Sequence, residues 1–535
     1  MIEKKDETKK AVKTVSLIML FTFFSKILGL LRDICIAALY GNSMENSALA
    51  IALDVPSIFF EILFGAAILG VFIPVYNSFD GSDKNKEEDE KEKFANIFLN
   101  FVILATGFLA LIGIIFAPQI VNIAADGYVE ETKKLTVDLL RILFPAAVFT
   151  GSVFTLTGIL QSKGEFLAPA LVSAFSNIGV IIYLTFFNDS FGVYGLGTAY
   201  LISWLIQLLT LVIPLIRKKY KYKLIIDFKN PAFIRAVKTA LPILAGSWLV
   251  PFSKMIINRF ASVCGDYDSV IAALGKSWSL FLIITGVLTY AISNYIFPKL
   301  AQNSRNDQEF AKIVRTALSA SAFIIAPVAC IAFVLKGEAF AVLYMREKFT
   351  PELARLAAQM FAALAPSMVM FSLIEILNRT FYAKNLVKFP MIASLSGIAA
   401  NFILCWVFIS KLDLPPVYIT LAVFICQSIT AMILIIVLKM KIKEIFDKKF
   451  LANVAKIVLS SGILLIIIKI LYYIMKNNAV ESGMFKNILI AGVIVITGVC
   501  SYIGINMIFR TNETKEIVKI LKLNKGIDYE KNNKL

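Results

Sequence analysis

SKILGLLRDICIAALYG, residues 25–41, decides how this chain is read. It belongs to an apolar stretch long enough to cross a bilayer, yet it carries Lys26, Arg32 and Asp33. A charge inside a spanning helix is costly and is kept where an internal polar surface uses it. Snorkelling to the interface would account for one charge near a helix end. It explains Arg32 and Asp33 poorly, because IALY continues the span beyond them. Lys26 and Asp33 are seven residues apart, as are Ser25 and Arg32, so the two pairs form one broad polar stripe with Gly29 beside it. Arg32 and Asp33 are adjacent and are not expected to face each other.

The next apolar stretch repeats the pattern with acids. Asp54 and Glu61 share a helix face, and Pro56, Pro74, Gly65, Ala66, Ala67 and Gly70 allow bending or close packing. These acids are expected to pair with Lys26 or Arg32, or to exchange partners between two states. Further along lie Lys254 and Arg259, then Lys276, then Glu375 with Arg379. The bias toward Lys and Arg points to an anionic ligand, since Arg grips phosphate oxygens with a fork and Lys acts as a mobile point charge. Asp138 and Arg141, one turn apart, are expected to pair with each other.

Composition narrows the class. The 535 residues are 58% hydrophobic and 17% charged, and the mean hydropathy is +0.77. There is no His, which removes the commonest metal ligand and near-neutral acid–base group. Metal hydrolases and His-based triads are thereby disfavoured, and no metal site is expected. The six cysteines lack metal-ligand spacing. The formal charge of +17 is read as basic loops on one side of a membrane rather than as nucleic-acid binding.

Fourteen spans are expected: 14–40, 47–77, 94–124, 135–160, 166–187, 193–216, 234–260, 270–300, 309–334, 352–382, 387–410, 414–439, 454–475 and 486–509. Each can cross the roughly 30 Å hydrocarbon layer. With the N-terminus in the cytoplasm, the even-numbered loops carry KNKEEDEKEK at 84–93, Lys163, RKKYKYK at 217–223, Lys299 with Arg305, Lys384 with Lys388, and KMKIKEIFDKK at 439–449. That is the positive-inside arrangement, with both termini cytoplasmic.

A faint duplication runs through the chain. AVKT recurs at 11–14 and 236–239, and Pro74 near the end of span two corresponds to Pro298 near the end of span eight. The reading is a six-helix unit repeated in parallel: an all-α polytopic membrane protein with an N-lobe at 1–225, a C-lobe at 226–450, an extra helix pair at 451–510 and a basic cytoplasmic tail at 511–535. No P-loop, dinucleotide fingerprint or repeated channel filter is present, so alternating access without a cofactor fits best. Coupling to the membrane potential or to an ion is left open.

The run at 25–41 resembles the signature that opens the MurJ/MviN lipid II flippases of the multidrug/oligosaccharidyl-lipid/polysaccharide exporter superfamily. VFIPV at 71–75, GILQSKGEFLAPALVSAFSN at 158–177, GLGTAYLISWLIQ at 195–207 and NRTFYAKNLVKFP at 378–390 are similar to later family segments. The resemblance implies fourteen helices, two pseudo-symmetric lobes, and a final pair lining a groove for a polyprenyl tail. It aligns Arg32 and Asp33 with an essential Arg-Asp pair, and puts Lys26 in the place of a second arginine. Glu61 stands where the family has an arginine, and the position of a cavity arginine falls near Ser279, one turn from Lys276.

What the resemblance implies is a monomeric, non-enzymatic flippase of the bacterial cytoplasmic membrane. Its partners would be membrane lipids and a lipid-linked diphosphate glycan, held by Lys26, Arg32, Asp33, Lys254 and Lys276. Ser25, Gly29, Asp54, Glu61, Arg259 and Glu375 would support or gate the site. The competing readings are an exporter of another polyprenyl-diphosphate glycan such as an O-antigen, capsule or teichoic precursor, then a drug/cation antiporter, then a structural role.

Overall fold

The computed structural model describes residues 2–65, 71–79, 84–475 and 481–516. Ala66, Ala67 and Gly70 lie outside the described residues, and the expected tail is described only to residue 516. Among the described residues all regular structure is helical. The chain forms two compact units, Met1–Ala272 with Arg346–Phe349 and Ala273–Met345 with Thr350–Leu535.

The first unit runs α1 (Ile2–Tyr40), α2 (Met44–Phe60), α3 (Ile73–Tyr76), α4 (Lys84–Ile115), α5 (Ala117–Ala124), α6 (Glu130–Leu143), α7 (Ala146–Ser162), α8 (Leu167–Phe186), α9 (Asn188–Arg217), α10 (Pro231–Ser247) and α11 (Leu249–Ser262). Helix α12 (Tyr267–Gln302) crosses the border between units. The second unit continues with α13 (Asp307–Val334), α14 (Lys336–Leu343), α15 (Pro351–Leu364), α16 (Ser367–Ala383), α17 (Lys388–Cys405), α18 (Val417–Lys441), α19 (Lys448–Met475) and α20 (Met484–Phe509).

Among the described residues, 10 helices are long and apolar enough to cross a membrane, or 12 if each of two bent pairs is one span. The expected spans at 14–40 and 234–260 are not in that set. Helix α1 runs unbroken through 14–40, while the segment 234–260 is broken into α10 and α11 at Trp248. Pro56 does not interrupt α2: the helix continues through it and changes to a π-helical turn at Glu61–Gly65.

The bent pairs reveal a repeat more exact than the sequence matches. Helices α6 and α7 meet at 40°, and α15 and α16 at 44°. Pro145 caps α7 and Pro366 caps α16, each breaking the ladder because proline offers no backbone N–H. Each bent pair follows a long span and a short eight-residue helix, α5 or α14. A constant 221 residues separates Pro145 from Pro366, Lys163 from Lys384, Gly164 from Asn385 and Pro169 from Pro390. Gly164 and Asn385 both have positive φ, the left-handed turn that ends α7 and α16. Both lysines reach acids near the start of the preceding long helix. Lys163 pairs with Glu88 and with Glu92 at 3.6 Å, and Lys384 pairs with Asp307 at 2.5 Å.

The first unit is packed around phenylalanine. Phe60, Phe72, Phe94, Phe98 and Phe233 are all buried, and their rings meet tilted, stacked or edge-on. In the second unit α19 and α20 pack on α13 through Phe323, Ile457, Leu464, Ile468, Ile490, Ile494 and Tyr502. Only 22% of the apolar window of each of these two helices is buried, against 50% for α13. Their outward faces, Ile466, Ile470, Tyr473, Phe485 and Ile496 among them, are apolar and exposed, as a lipid-facing surface requires.

Candidate functional site

Helix α1 lies along α8, which meets it through the small Ala170 and the polar Asn177. A Cβ added to Gly29 would stand 3.3 Å from Asn177 Nδ2, so glycine keeps the two backbones this close. Ser25 Oγ donates to the Ala170 carbonyl at 3.1 Å, and Asn177 Nδ2 donates to the Ser25 carbonyl at 3.2 Å. Asn177 is thereby fixed with its oxygen presented to Arg32, whose Nη1 donates to Oδ1 at 3.0 Å.

The rest of the guanidinium is also engaged. Nε and Nη2 donate to the same Asp33 oxygen at 3.1 and 2.8 Å, so these neighbours do meet, contrary to the sequence expectation. The adjacency rule concerns Cβ directions, and the arginine is long enough to fold back across one residue. The guanidinium carbon also lies 5.6 Å from the Tyr200 ring centre, within cation–π range. The side chains of Arg32 and Asp33 remain 27% and 13% exposed, so the pair is partly open rather than sealed in the core. One turn and a half earlier, Lys26 is exposed and has no ion pair among the described residues. The stripe therefore contains one braced cation and one unbraced cation.

A second polar cluster joins α2 to α11. Asp54 Oδ2 lies 3.3 Å from Lys254 Nζ and accepts from Asn258 Nδ2 at 2.8 Å. Asp54 is thus bonded to Lys254, not to Lys26 or Arg32. The break at Trp248 helps place α11: the Trp248 indole donates to the Ile62 carbonyl at 2.9 Å, inside the π-helical turn where the ordinary ladder is disturbed. Glu61, at the start of that turn, is exposed, and its side chain makes no hydrogen bond or ion pair among the described residues.

Other expected site residues are placed apart. Arg259 braces the α5–α6 loop, donating to the Ile123 carbonyl at 2.8 Å and to Asp126 at 3.1 Å. Asp138 and Arg141 pair loosely at 4.0 Å. In the second unit Lys276 is buried, with Nζ 6.0 Å from the Tyr344 ring centre. Glu375 and Arg379 form a helical pair at 3.1 Å, and the guanidinium lies 5.4 Å from the Phe297 ring centre. Asn177, Tyr200 and Asn258 were not singled out from sequence. The first two fall inside the family-like stretches 158–177 and 195–207, and Asn258 is one helical turn beyond Lys254, so a signal existed for each.

A helical, internally repeated bundle with a charged stripe inside a span defines a polytopic membrane transport protein. A multidrug resistance MATE family transporter of the MOP superfamily superposes with a TM-score of 0.62 at 15% identity, covering 79% of this chain and 95% of its own. A solved structure of lipid II flippase MurJ, in an inward closed conformation, matches more fully: TM-score 0.76, 24% identity, 92% of this chain and 98% of that one. The lipid II flippase MurJ family pattern matches residues 36–490, and the chain belongs to that family. A probable lipid II flippase MurJ from Thermotoga maritima is 25% identical over 95% of this chain and 99% of its own length. One from Buchnera aphidicola subsp. Acyrthosiphon pisum is 28% identical over 73% and 76%.

Proposed function

We propose that this chain translocates lipid II from the inner to the outer leaflet of the bacterial cytoplasmic membrane. The observation that carries the reading is Arg32, which sits in the α1 stripe of a chain of this family with its guanidinium steered by Asp33 and Asn177. A diphosphate cannot cross hydrocarbon bare, and a cationic surface compensates its charge. Asp33 holds Arg32 while no phosphate is bound. An arriving diphosphate takes over the fork, with Lys26 as a second, mobile charge. Lys254, held by Asp54, and Lys276, near Tyr344, are further cations in this reading. Ser25 and Gly29 keep α1 and α8 in register, while Glu61, Arg259 and Glu375 shape or gate the path.

The cycle is alternating access by a monomer. No bond is made or broken, so no cofactor is needed, and the membrane potential or an ion supplies direction. Helix α1 and the α10–α11 segment are the two further crossings, which makes fourteen with both termini cytoplasmic.

The test is complementation in cells depleted of their own lipid II flippase, read with an added enzyme that cleaves only surface-exposed lipid II. The wild-type chain restores growth and cleavage. Arg32→Ala loses both, Asn177→Ala keeps the charge and retains part, and the variants insert at wild-type levels. A wild-type chain that inserts but exposes no lipid II overturns the substrate assignment.

A further inference from the structure

The segment between α9 and α10 has no regular secondary structure and is fastened to α4 at two points. Asn96 and Asn100, one turn apart and only 1% and 2% exposed, supply the side-chain bonds to it. Asn96 Nδ2 donates to the Lys221 carbonyl at 3.0 Å, while its Oδ1 accepts from Tyr220 Oη at 2.9 Å and from the Lys223 amide at 3.1 Å. Asn100 Nδ2 donates to the carbonyls of Lys223 and Ile225 at 3.0 and 3.1 Å, while its Oδ1 accepts from Tyr222 Oη at 2.7 Å. Both amides are satisfied on both sides, so the segment holds one path.

Its depth follows from where it is fastened. The charged run KNKEEDEKEK ends at Lys93, and α4 becomes apolar from Phe94 onward. Asn96 and Asn100 occupy the first turns of the apolar part, so the segment crosses α4 at the boundary between water and hydrocarbon. The positive-inside pattern places this boundary on the cytoplasmic side.

Its two sides differ. Tyr220 and Ile225 pack inward on the phenylalanine core. Leu224 and Ile226 point away from it, 76% and 57% exposed. Arg217, Lys218, Lys219, Lys221 and Lys223 are exposed as well, and none has an ion pair among the described residues. Five fixed cations beside two projecting aliphatic residues, at the depth of the headgroups, match an anionic bilayer surface with its phosphates and upper acyl carbons.

We propose that residues 217–226 form a docking strap for anionic lipid headgroups of the cytoplasmic leaflet. The lysines and Arg217 meet the phosphates, Leu224 and Ile226 enter the acyl boundary, and the asparagine clamp fixes the strap on α4.

The test uses the full chain with its six native cysteines replaced and Leu224→Cys carrying a spin label, reconstituted in phosphatidylcholine vesicles with or without phosphatidylglycerol. Collision with oxygen reports lipid, and collision with a water-soluble nickel chelate reports water. Phosphatidylglycerol is expected to lower the nickel-to-oxygen collision ratio several-fold. Replacing Lys218, Lys219, Lys221 and Lys223 by Gln, or adding high salt, abolishes that change. Inorganic phosphate added to the neutral vesicles does not reproduce it. Hydrogen exchange on the unsubstituted protein is expected to slow across 217–226 only in the anionic vesicles. A label equally wet in both vesicles, or an effect reproduced by free phosphate, overturns the proposal.

Discussion

Arg32 donates hydrogen bonds to Asp33 and Asn177 and lies over the Tyr200 ring, and Asn177 and Tyr200 come from other helices of the first unit. The arginine and the aspartate were legible because charge in an apolar span is conspicuous. Asn177 was not, because one amide in a helix of alanines and serines reads as packing. Asp54 shows the same limit: its burial cost demands a partner, but sequence does not say which helix stands opposite. Lys254 supplies the charge and Asn258 the second bond. Asp54→Asn and Lys254→Gln should each lower stability by about 1–3 kcal/mol, the usual cost of stripping a partner from a partly buried charge. The double variant should cost less than the sum, measured as apparent unfolding midpoints in detergent. Strict additivity would remove the pair from the account.

At the scale of elements, the end of α1 shows what the glycine closing its signature does. Gly41 has φ of +51°, and a Cβ there would lie 2.1 Å from the Lys348 carbonyl oxygen. The neighbouring Lys348 amide donates to the Ala38 carbonyl at 3.1 Å, which ties the segment 346–349 to the first unit. Gly41→Ala should therefore destabilise by well over the roughly 1–2 kcal/mol of the left-handed backbone alone. Gly462→Ala, with open space around it inside α19, should be neutral or gain about 0.5–1 kcal/mol. The two midpoints measured side by side check the contrast; equal shifts would refute it. The duplication was only faintly visible in sequence because four-letter matches drift. What the halves share is conformational: a proline bend, a left-handed residue after a helix, and a lysine reaching back to an acid.

Across the whole molecule, hydropathy and loop charge made the helical membrane class readable, since a bilayer leaves few options for backbone polar groups. Two of the proposed crossings, α1 and α10–α11, lie outside the set of helices that pass on length and composition among the described residues. Their sidedness is testable. Asn42→Cys, in the loop between α1 and α2, should be labelled by an impermeant thiol reagent in intact cells, and Lys163→Cys only after permeabilisation. The reverse pattern would invert the topology. The sparse burial of α19 and α20 has a practical consequence for handling the purified protein. Most of their surface is solvated by acyl chains rather than by neighbouring helices, so a surfactant shell must replace that solvent when the bilayer is stripped away. Harsh, short-chain surfactants should loosen this pair before the rest of the bundle, and retained native lipid should protect it first.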